Sequence, residues 1–292
     1  MKLREVYGGR AAKPPLSIEF FPPKTAEGER RFWRNFPSFK SLKPAFCSVT
    51  YSTTGVTHNK SVEIVERIKQ QEGIEVMCHL TCLGRTSKQV RAILDELVHD
   101  GIDNLIALRG DVPKDDTGWT PAPGGFRNAI ELVREALTYK WFSVAVAGFP
   151  ETHPDSPSPE KDIENLKAKV DAGADVVITQ LFFDNADFLR YRDRVKAAGI
   201  GVPVVPGIMP IRSVKHLERI TGFGGVKVPA ILRDELAKYA ADDPAAAEFG
   251  IDYCIRQCRG LLAYGIPGLH FFSFNEPHPL VTIVHGIGLG PS

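Results

Sequence analysis

Apolar and polar residues alternate through Leu16-Ser-Ile-Glu-Phe-Phe21, with Leu16, Ile18 and Phe20 on one side and Ser17, Glu19 and Phe21 on the other. A period of two is that of a strand. Pro22 and Pro23 end it, because neither can donate a ladder hydrogen bond. Thr25 then caps a helix with Phe32, Phe36 and Phe39 at helical spacing, which Pro37 should kink or shorten. The apolar stretch Phe46–Tyr51 predicts a second strand closing in hydroxyl-rich 52–55, followed by a helix from about Ser61 to Gln71. Ile74–Cys82 reads as a strand. Ser87 caps an amphipathic helix whose Val90, Ile93, Leu94, Leu97 and Val98 form one stripe, and Gly101 stops it.

The same alternation continues to the end of the chain. Strands are predicted over Asn104–Leu108, Phe142–Val146, Asp175–Leu181, Val202–Ile208 and Leu269–Phe274. Between them lie helices over Phe126–Leu137, one opening at Ser158-Pro159, one near Asp187–Ala197, and two or three up to Tyr264. A helix after each strand forces parallel pairing through right-handed crossovers. Eight such units, without a composition break, match the usual size of a (β/α)8 TIM barrel, about 250 residues. The expected architecture is one barrel domain over 1–292, with extra helices before the last strand. A doubly wound open sheet is the alternative, but Phe-Phe-Pro-Pro stands where its glycine-rich fingerprint would follow the first strand.

Composition narrows the function without naming it. Hydrophobic residues make up 43% and charged residues 24% of the 292, as in an ordinary globular protein. The formal charge of +1 gives no field that would draw the chain to nucleic acid or to a membrane surface. No apolar run reaches the roughly 18 residues of a membrane span, and the first residues lack a secretion signal's apolar core. Cys47, Cys78, Cys82, Cys254 and Cys258 match no zinc or thioredoxin spacing, which suits buried thiols in a reducing cytoplasm, and no metal site is visible.

In a barrel, chemistry gathers at the carboxyl ends of the strands. Those ends carry Glu19, Thr50 with Tyr51, His79, Arg109 with Asp111, His153, Gln180 and Asn275. Each has a plainer reading. Glu19 could face water on an edge strand or form a structural ion pair, His79 could be a satisfied core histidine, Arg109 and Asp111 a local pair, and Asn275 a cap. Polar residues at nearly every strand end, on otherwise apolar strands, are not what packing alone selects. Histidines and carboxylates do not cluster at ligand spacing, no strand ends in a lysine with an apolar pocket (Lys227 aside), and there is no nucleophile elbow or Walker motif. Proton transfer beside a cofactor that carries the hard step is what remains.

Seven short motifs then occur in order: Ser17-Ile-Glu-Phe-Phe-Pro-Pro-Lys24, Ser48-Val-Thr-Tyr51, His79-Leu-Thr-Cys82, Ala107-Leu-Arg-Gly-Asp111, Phe149-Pro-Glu-Thr-His-Pro154, Lys169-Val-Asp-Ala-Gly-Ala174 and Thr179-Gln-Leu-Phe-Phe-Asp184. In order and spacing they resemble the methylenetetrahydrofolate reductase family, from near residue 15 to near 290. The resemblance implies a barrel holding flavin adenine dinucleotide (FAD) that interconverts methylene- and methyltetrahydrofolate, with NADH or NADPH as electron donor. It assigns Glu19 as the acid that protonates a folate nitrogen, a role that a pKa raised by burial would suit. Asp111 becomes the carboxylate near flavin and pterin, and Gln180 the amide that serves folate and nicotinamide in turn. Thr50, Tyr51, His79, Arg109, Gly110, Asp111, His153, Asp162, Asn165 and Lys169 fall on flavin positions. A folate small molecule is the implied substrate, and a homo-oligomer is expected.

Four positions depart from that pattern. Val214 stands where the bacterial family commonly has a ring-stacking phenylalanine, Glu276 where an arginine helps hold folate, Phe149 in place of a flavin-contacting tyrosine, and Ala168 in place of a helix arginine. The departures imply weaker holding of nicotinamide and folate, slow flavin reduction by NAD(P)H, and a bias toward methyltetrahydrofolate oxidation. Two other classes fit the residues less fully: a folate- or flavin-binding barrel without turnover, and a flavin-free pterin-binding barrel of methyltransferase type.

Overall fold

The computed structural model describes residues 1–9, 13–50, 56–110, 120–221 and 226–291, with the side chains of 56–59 excepted. Tyr51, the 52–55 stretch and Asp111 lie outside the described residues. Eight strands form a closed barrel in chain order: β1 (Leu16–Phe20), β2 (Phe46–Val49), β3 (Val76–Thr81), β4 (Asn104–Leu108), β5 (Ser143–Gly148), β6 (Val176–Leu181), β7 (Val204–Ile208) and β8 (Leu269–Phe272). Each neighbouring pair is parallel, and β8 returns to β1 with Ser17 opposite His270 and Glu19 opposite Phe272. This is the (β/α)8 barrel that the alternation implied.

The helices are α1 (Leu3–Gly8), α2 (Ala26–Lys40), α3 (Val56–Gln70), α4 (Ser87–His99), α5 (Ala129–Thr138), α6 (Pro159–Asp171), α7 (Asn185–Ala197), α8 (Val214–Thr221), α9 (Ala230–Ala237), α10 (Asp243–Ala263) and α11 (Pro277–Gly286). Alternation decides which strand residues meet them. Ile18 and Phe20 face outward, and the Phe20 ring meets Phe32 and Phe39 of α2 edge-on, with centroids 5.2 and 4.9 Å apart. Such aromatic pairs contribute about 0.5–1.5 kcal/mol each beyond area burial. The inward set, Phe46, Met77, Ile106, Ala145, Val176 and Val205, packs with Leu3 and Tyr7 of α1. The short α1 thus seats its apolar residues against the barrel's interior cluster. Asn104 moors it, accepting from the Leu3 N–H at 2.8 Å and donating to the Met1 carbonyl at 3.0 Å.

Several boundaries differ from the sequence reading for local reasons. Pro37 does not shorten α2, which runs on to Lys40. A proline so near the end costs one ladder bond, while Phe36 and Phe39 still bury against the core. The cap of α4 is Thr86, not Ser87: its hydroxyl accepts from Gln89, whose side chain reaches back to the Thr86 N–H at 2.9 Å. The strands are shorter than predicted at one or both ends, except Asn104–Leu108, which matches, and the fifth, which extends to Gly148. Ser158 and Pro159 are cap and first residue of α6, as expected. Helices α1 and α11 were not foreseen, the first because it is short and held by tertiary contact, the second because Pro277 and Pro279 resemble a turn. All five cysteines are free and buried, and burial pushes the Cys78 thiol up to about 12. No described helix is long and apolar enough to cross a membrane.

Candidate active site

Inward-facing positions of β1, β3 and β8 bring together three side chains from distant parts of the chain. Glu19 is 6% exposed. Its Oε2 lies 3.1 Å from Nε2 of His270 and 3.2 Å from Nε2 of His79. The first contact is a hydrogen bond; the second is at ion-pair distance but off the hydrogen-bonding direction, so among the described residues His79 Nε2 has no aligned hydrogen-bond partner. On the far side of its ring, His270 Nδ1 meets the Ser17 hydroxyl at 2.8 Å. Glu19 is therefore neither in water nor isolated.

That arrangement reverses one expectation. Burial by itself pushes the Glu19 carboxyl up, but the charge of His79 and the hydrogen bond of His270 outweigh it and hold the group at about 2. The carboxyl of this protein is thus a carboxylate at neutral pH, not the pre-protonated acid that burial alone would give.

The remaining predicted residues divide into two arcs of the barrel mouth. One runs from β2 to β5. Thr50 follows β2, with its N–H on the Phe20 carbonyl. Arg109 follows β4 and donates to Asp155 at 2.7 Å. Gly110 takes φ +96°, and a Cβ there would stand 2.9 Å from Cβ of Leu83, so only glycine fits the backbone. His153 lies past β5, edge-on to Phe149 with centroids 4.5 Å apart, and burial pulls its imidazole down. On α6, Asp162, Asn165 and Lys169 share neighbouring positions of one side, as their spacing implied. Burial raises the Asp162 carboxyl against the pull of Lys169. The Lys169 ammonium donates to the Ala147 carbonyl at 2.7 Å, and burial, opposed by Asp162, brings it down to about 8. Ala168 sits half-buried beside it.

The other arc runs from β6 through β7 and β8 to β1. The Gln180 side-chain oxygen accepts from the Leu181 N–H at 2.9 Å. With Phe149, Glu151 and Val226, Gln180 lines a small cavity at the mouth. Glu151, which sequence reasoning passed over, accepts the Lys227 N–H on both oxygens and is pushed by burial to about 6. Val214 begins α8 and packs against the cluster of Leu181, Phe183 and Met209. Glu276 precedes α11 and pairs with Arg31 at 3.7 Å. Asn275 does not cap α11: its side chain accepts from the Phe21 N–H at 3.0 Å and donates to the Phe21 carbonyl at 2.8 Å. A larger cavity of about 270 Å³, lined by Trp33, Arg67 and glutamates of α2 and α3, lies outside the barrel, away from these groups.

His270 and Ser17 were the main omissions. The only sequence signal was a histidine inside the apolar run Leu269-His-Phe-Phe272, a polar group too far from a strand end to draw notice.

Residues 4–288 match the family described as Methylenetetrahydrofolate reductase. Methylenetetrahydrofolate reductase (NADH) 1 of Arabidopsis thaliana is 36% identical over 285 residues, covering 94% of this chain and 48% of that protein. The 5,10-methylenetetrahydrofolate reductase of Escherichia coli K12 is 34% identical over 279 residues, covering 94% and 91%. The chain thus spans about half the length of the plant relative and nearly all of the bacterial one. A Clostridium thermocellum protein described as binding two copies of 5-methyl-5,6,7,8-tetrahydrofolic acid superposes with a TM-score of 0.68, over 99% of this chain and 98% of that one. At 14% identity it shares the fold alone. Matched by the family along nearly its whole length, and by a full-length bacterial relative, the chain belongs to the methylenetetrahydrofolate reductase family.

Proposed function

We propose that the protein is a flavin-dependent oxidoreductase interconverting 5,10-methylenetetrahydrofolate and 5-methyltetrahydrofolate. The observation that carries this reading is the buried Glu19 carboxylate, held by two imidazoles in the mouth of a barrel of this family. The donor set of the β2–β5 arc fits FAD. Arg109 and Lys169 supply cations for a diphosphate, while Thr50, His153, Asp162 and Asn165 supply donors and acceptors for ribose and adenine. Gly110 and the edge of His79 complete that arc, with Phe149 against His153 and with Tyr51 and Asp111 assigned by resemblance. When bound, the flavin supplies the hydride chemistry that side chains cannot. The folate-binding description of the Clostridium thermocellum neighbour is consistent with a folate substrate.

The chain's own part is proton handling and positioning. Glu19 exchanges a proton with a folate nitrogen, as acid when the methylene bridge opens and as base in the reverse direction. Because His79 and His270 keep it ionised, Glu19 is already a base in the free protein. Methyltetrahydrofolate oxidation can start from that state. Methylene reduction first requires a proton to be lodged in the Glu19–His270–His79 cluster. Gln180 orients the pterin, since an amide offers both donor and acceptor. Val214 gives a nicotinamide no ring to stack on, so flavin reduction by NADH or NADPH is slow. The slow dinucleotide half-reaction favours the oxidative direction.

The test is anaerobic. Protein reconstituted with FAD is mixed with methyltetrahydrofolate, or separately with NADH or NADPH, and the visible flavin absorbance is followed. Methyltetrahydrofolate should bleach it readily and the dinucleotides slowly. Protein that takes up no flavin, or whose flavin methyltetrahydrofolate leaves oxidised, overturns the reading in favour of a binding barrel without turnover.

A further inference from the structure

The cavity of about 270 Å³ between α2 and α3 lies outside the barrel mouth, and its lining is unlike that of a packing gap. Trp33 of α2 forms one wall; Glu63, Ile64, Glu66 and Arg67 of α3 form the other. The Trp33 ring is fixed by its neighbours. It meets Phe32 edge-on with centroids 4.9 Å apart, and Phe36 at 5.4 Å and 52°. Both phenylalanines are buried in the core. The guanidinium carbon of Arg67 lies 3.7 Å from the Trp33 ring centroid, well within the range of a cation on an aromatic face. That contact holds the arginine, so wall and cation are both set before any ligand arrives.

The charges of the cavity are only partly paired. Lys60 takes Glu29, and Gln70 donates to Glu66 at 3.2 Å. Glu63 and Arg67 stand four residues apart on α3 with the glutamate first, the spacing and order in which a helical ion pair forms most readily. On α6, Lys167 and Asp171 at the same spacing do close, at 2.5 Å. Glu63 and Arg67 do not, because the guanidinium lies over Trp33 instead. Among the described residues, Glu63 has no ion-pair partner and Arg67 no carboxylate at ion-pair distance. Arg67 Nε is also buried there without a hydrogen-bond partner. One anion and one cation are thus left open on a single wall, beside an aromatic ring.

We propose that this cavity binds a free α-amino acid, with Arg67 taking its carboxylate, Glu63 its ammonium group, and Ile64 and Trp33 its side chain. Residues one helical turn apart have Cβ atoms about 5–6 Å from each other. Side chains reaching out from them bracket a ligand whose opposite charges are joined through one carbon. A guanidinium can hold a carboxylate through two parallel N–H bonds, and Glu66 adds a second negative charge on the ammonium side. A dicarboxylate or a diamine would set like charges together at one end, whereas a zwitterion matches both. At about 270 Å³ the cavity lies just below the usual range for small-ligand sites, about 300–1,000 Å³, which suits a ligand of amino-acid size. The assignment does not depend on the flavin and folate reading above.

Calorimetric titration of the full chain with each of the common L-amino acids tests it. At least one with an apolar side chain should bind with a Kd below about 1 mM. Its amide, which lacks the carboxylate, and its N-acetyl derivative, which lacks the ammonium group, should each bind at least about tenfold more weakly. E63Q and R67A should weaken the free amino acid by a similar factor, and R67K should recover part of the arginine's loss. Glu63 is exposed, so E63Q leaves the fold intact and decides the matter even where R67A unfolds. No binding of any amino acid, equal binding of the blocked derivatives, or undiminished binding by E63Q overturns the assignment.

Discussion

Glu19→Gln keeps the length and shape of the side chain and removes its charge. In the folded protein the carboxyl is held at about 2, against 4.5 for a free glutamate. Burial pushes it up, and the charge of His79 together with the hydrogen bond of His270 overcomes that push. Since one pH unit corresponds to about 1.4 kcal/mol, the ionised form is favoured by roughly 3 kcal/mol. The folded value is depressed, so this stability is fully present above pH 4.5 and is lost as pH falls toward 2. Glutamine is neutral at every pH and never has it. Urea unfolding at pH 7 should therefore find E19Q less stable by up to about 3 kcal/mol, with the two proteins converging as pH falls between 4.5 and 2. Methyltetrahydrofolate turnover should drop at least about a hundredfold, the low end for general acid–base catalysis, while flavin remains bound. Equal unfolding midpoints at pH 7, with turnover unchanged, would refute both the ion-pair cluster and its role in proton transfer.

Two further substitutions probe the two arcs of the mouth. Gly110→Ala places a Cβ 2.9 Å from Cβ of Leu83 on a backbone at φ +96°; calorimetry should show a loss of about 1–3 kcal/mol, and an unchanged melting temperature would show that the β4 loop relaxes freely. Val214→Phe offers a nicotinamide the stacking surface that valine lacks, worth about 0.5–1.5 kcal/mol; stopped-flow reduction by NADH should quicken by about two- to tenfold, and no change would remove Val214 as the reason for a slow half-reaction.

Local pattern was enough to place most of the scaffold. Alternation in Leu16–Phe20 set Ile18 and Phe20 outward and Glu19 inward, because a strand has only two faces and eight such strands with intervening helices have few ways to close. Ser158 and Pro159 began α6 where a cap and a fixed φ dictate, and the spacing of Asp162, Asn165 and Lys169 put them on one side of it. These are short-range consequences of backbone geometry, and they were legible without any neighbour.

What could not be read was who meets whom across the barrel. His270 lies 251 residues from Glu19 in the chain and reaches it only because β8 closes on β1 in register. That closure also decides the ionisation state of Glu19, since burial alone would raise the carboxyl and two imidazoles lower it. A cluster of Arg212, His216, Phe274 and Phe21 depends likewise on three loops converging after β7, β8 and β1. Its turn, with Phe274 and Asn275 at φ 49° and 61°, is tolerable only because Asn275 finds the backbone of Phe21. Sequence determined which residues face inward at the mouth. The closed sheet determined their partners, and in this protein those partners set the charge of Glu19 and leave Arg212, among the described residues, without a carboxylate at ion-pair distance.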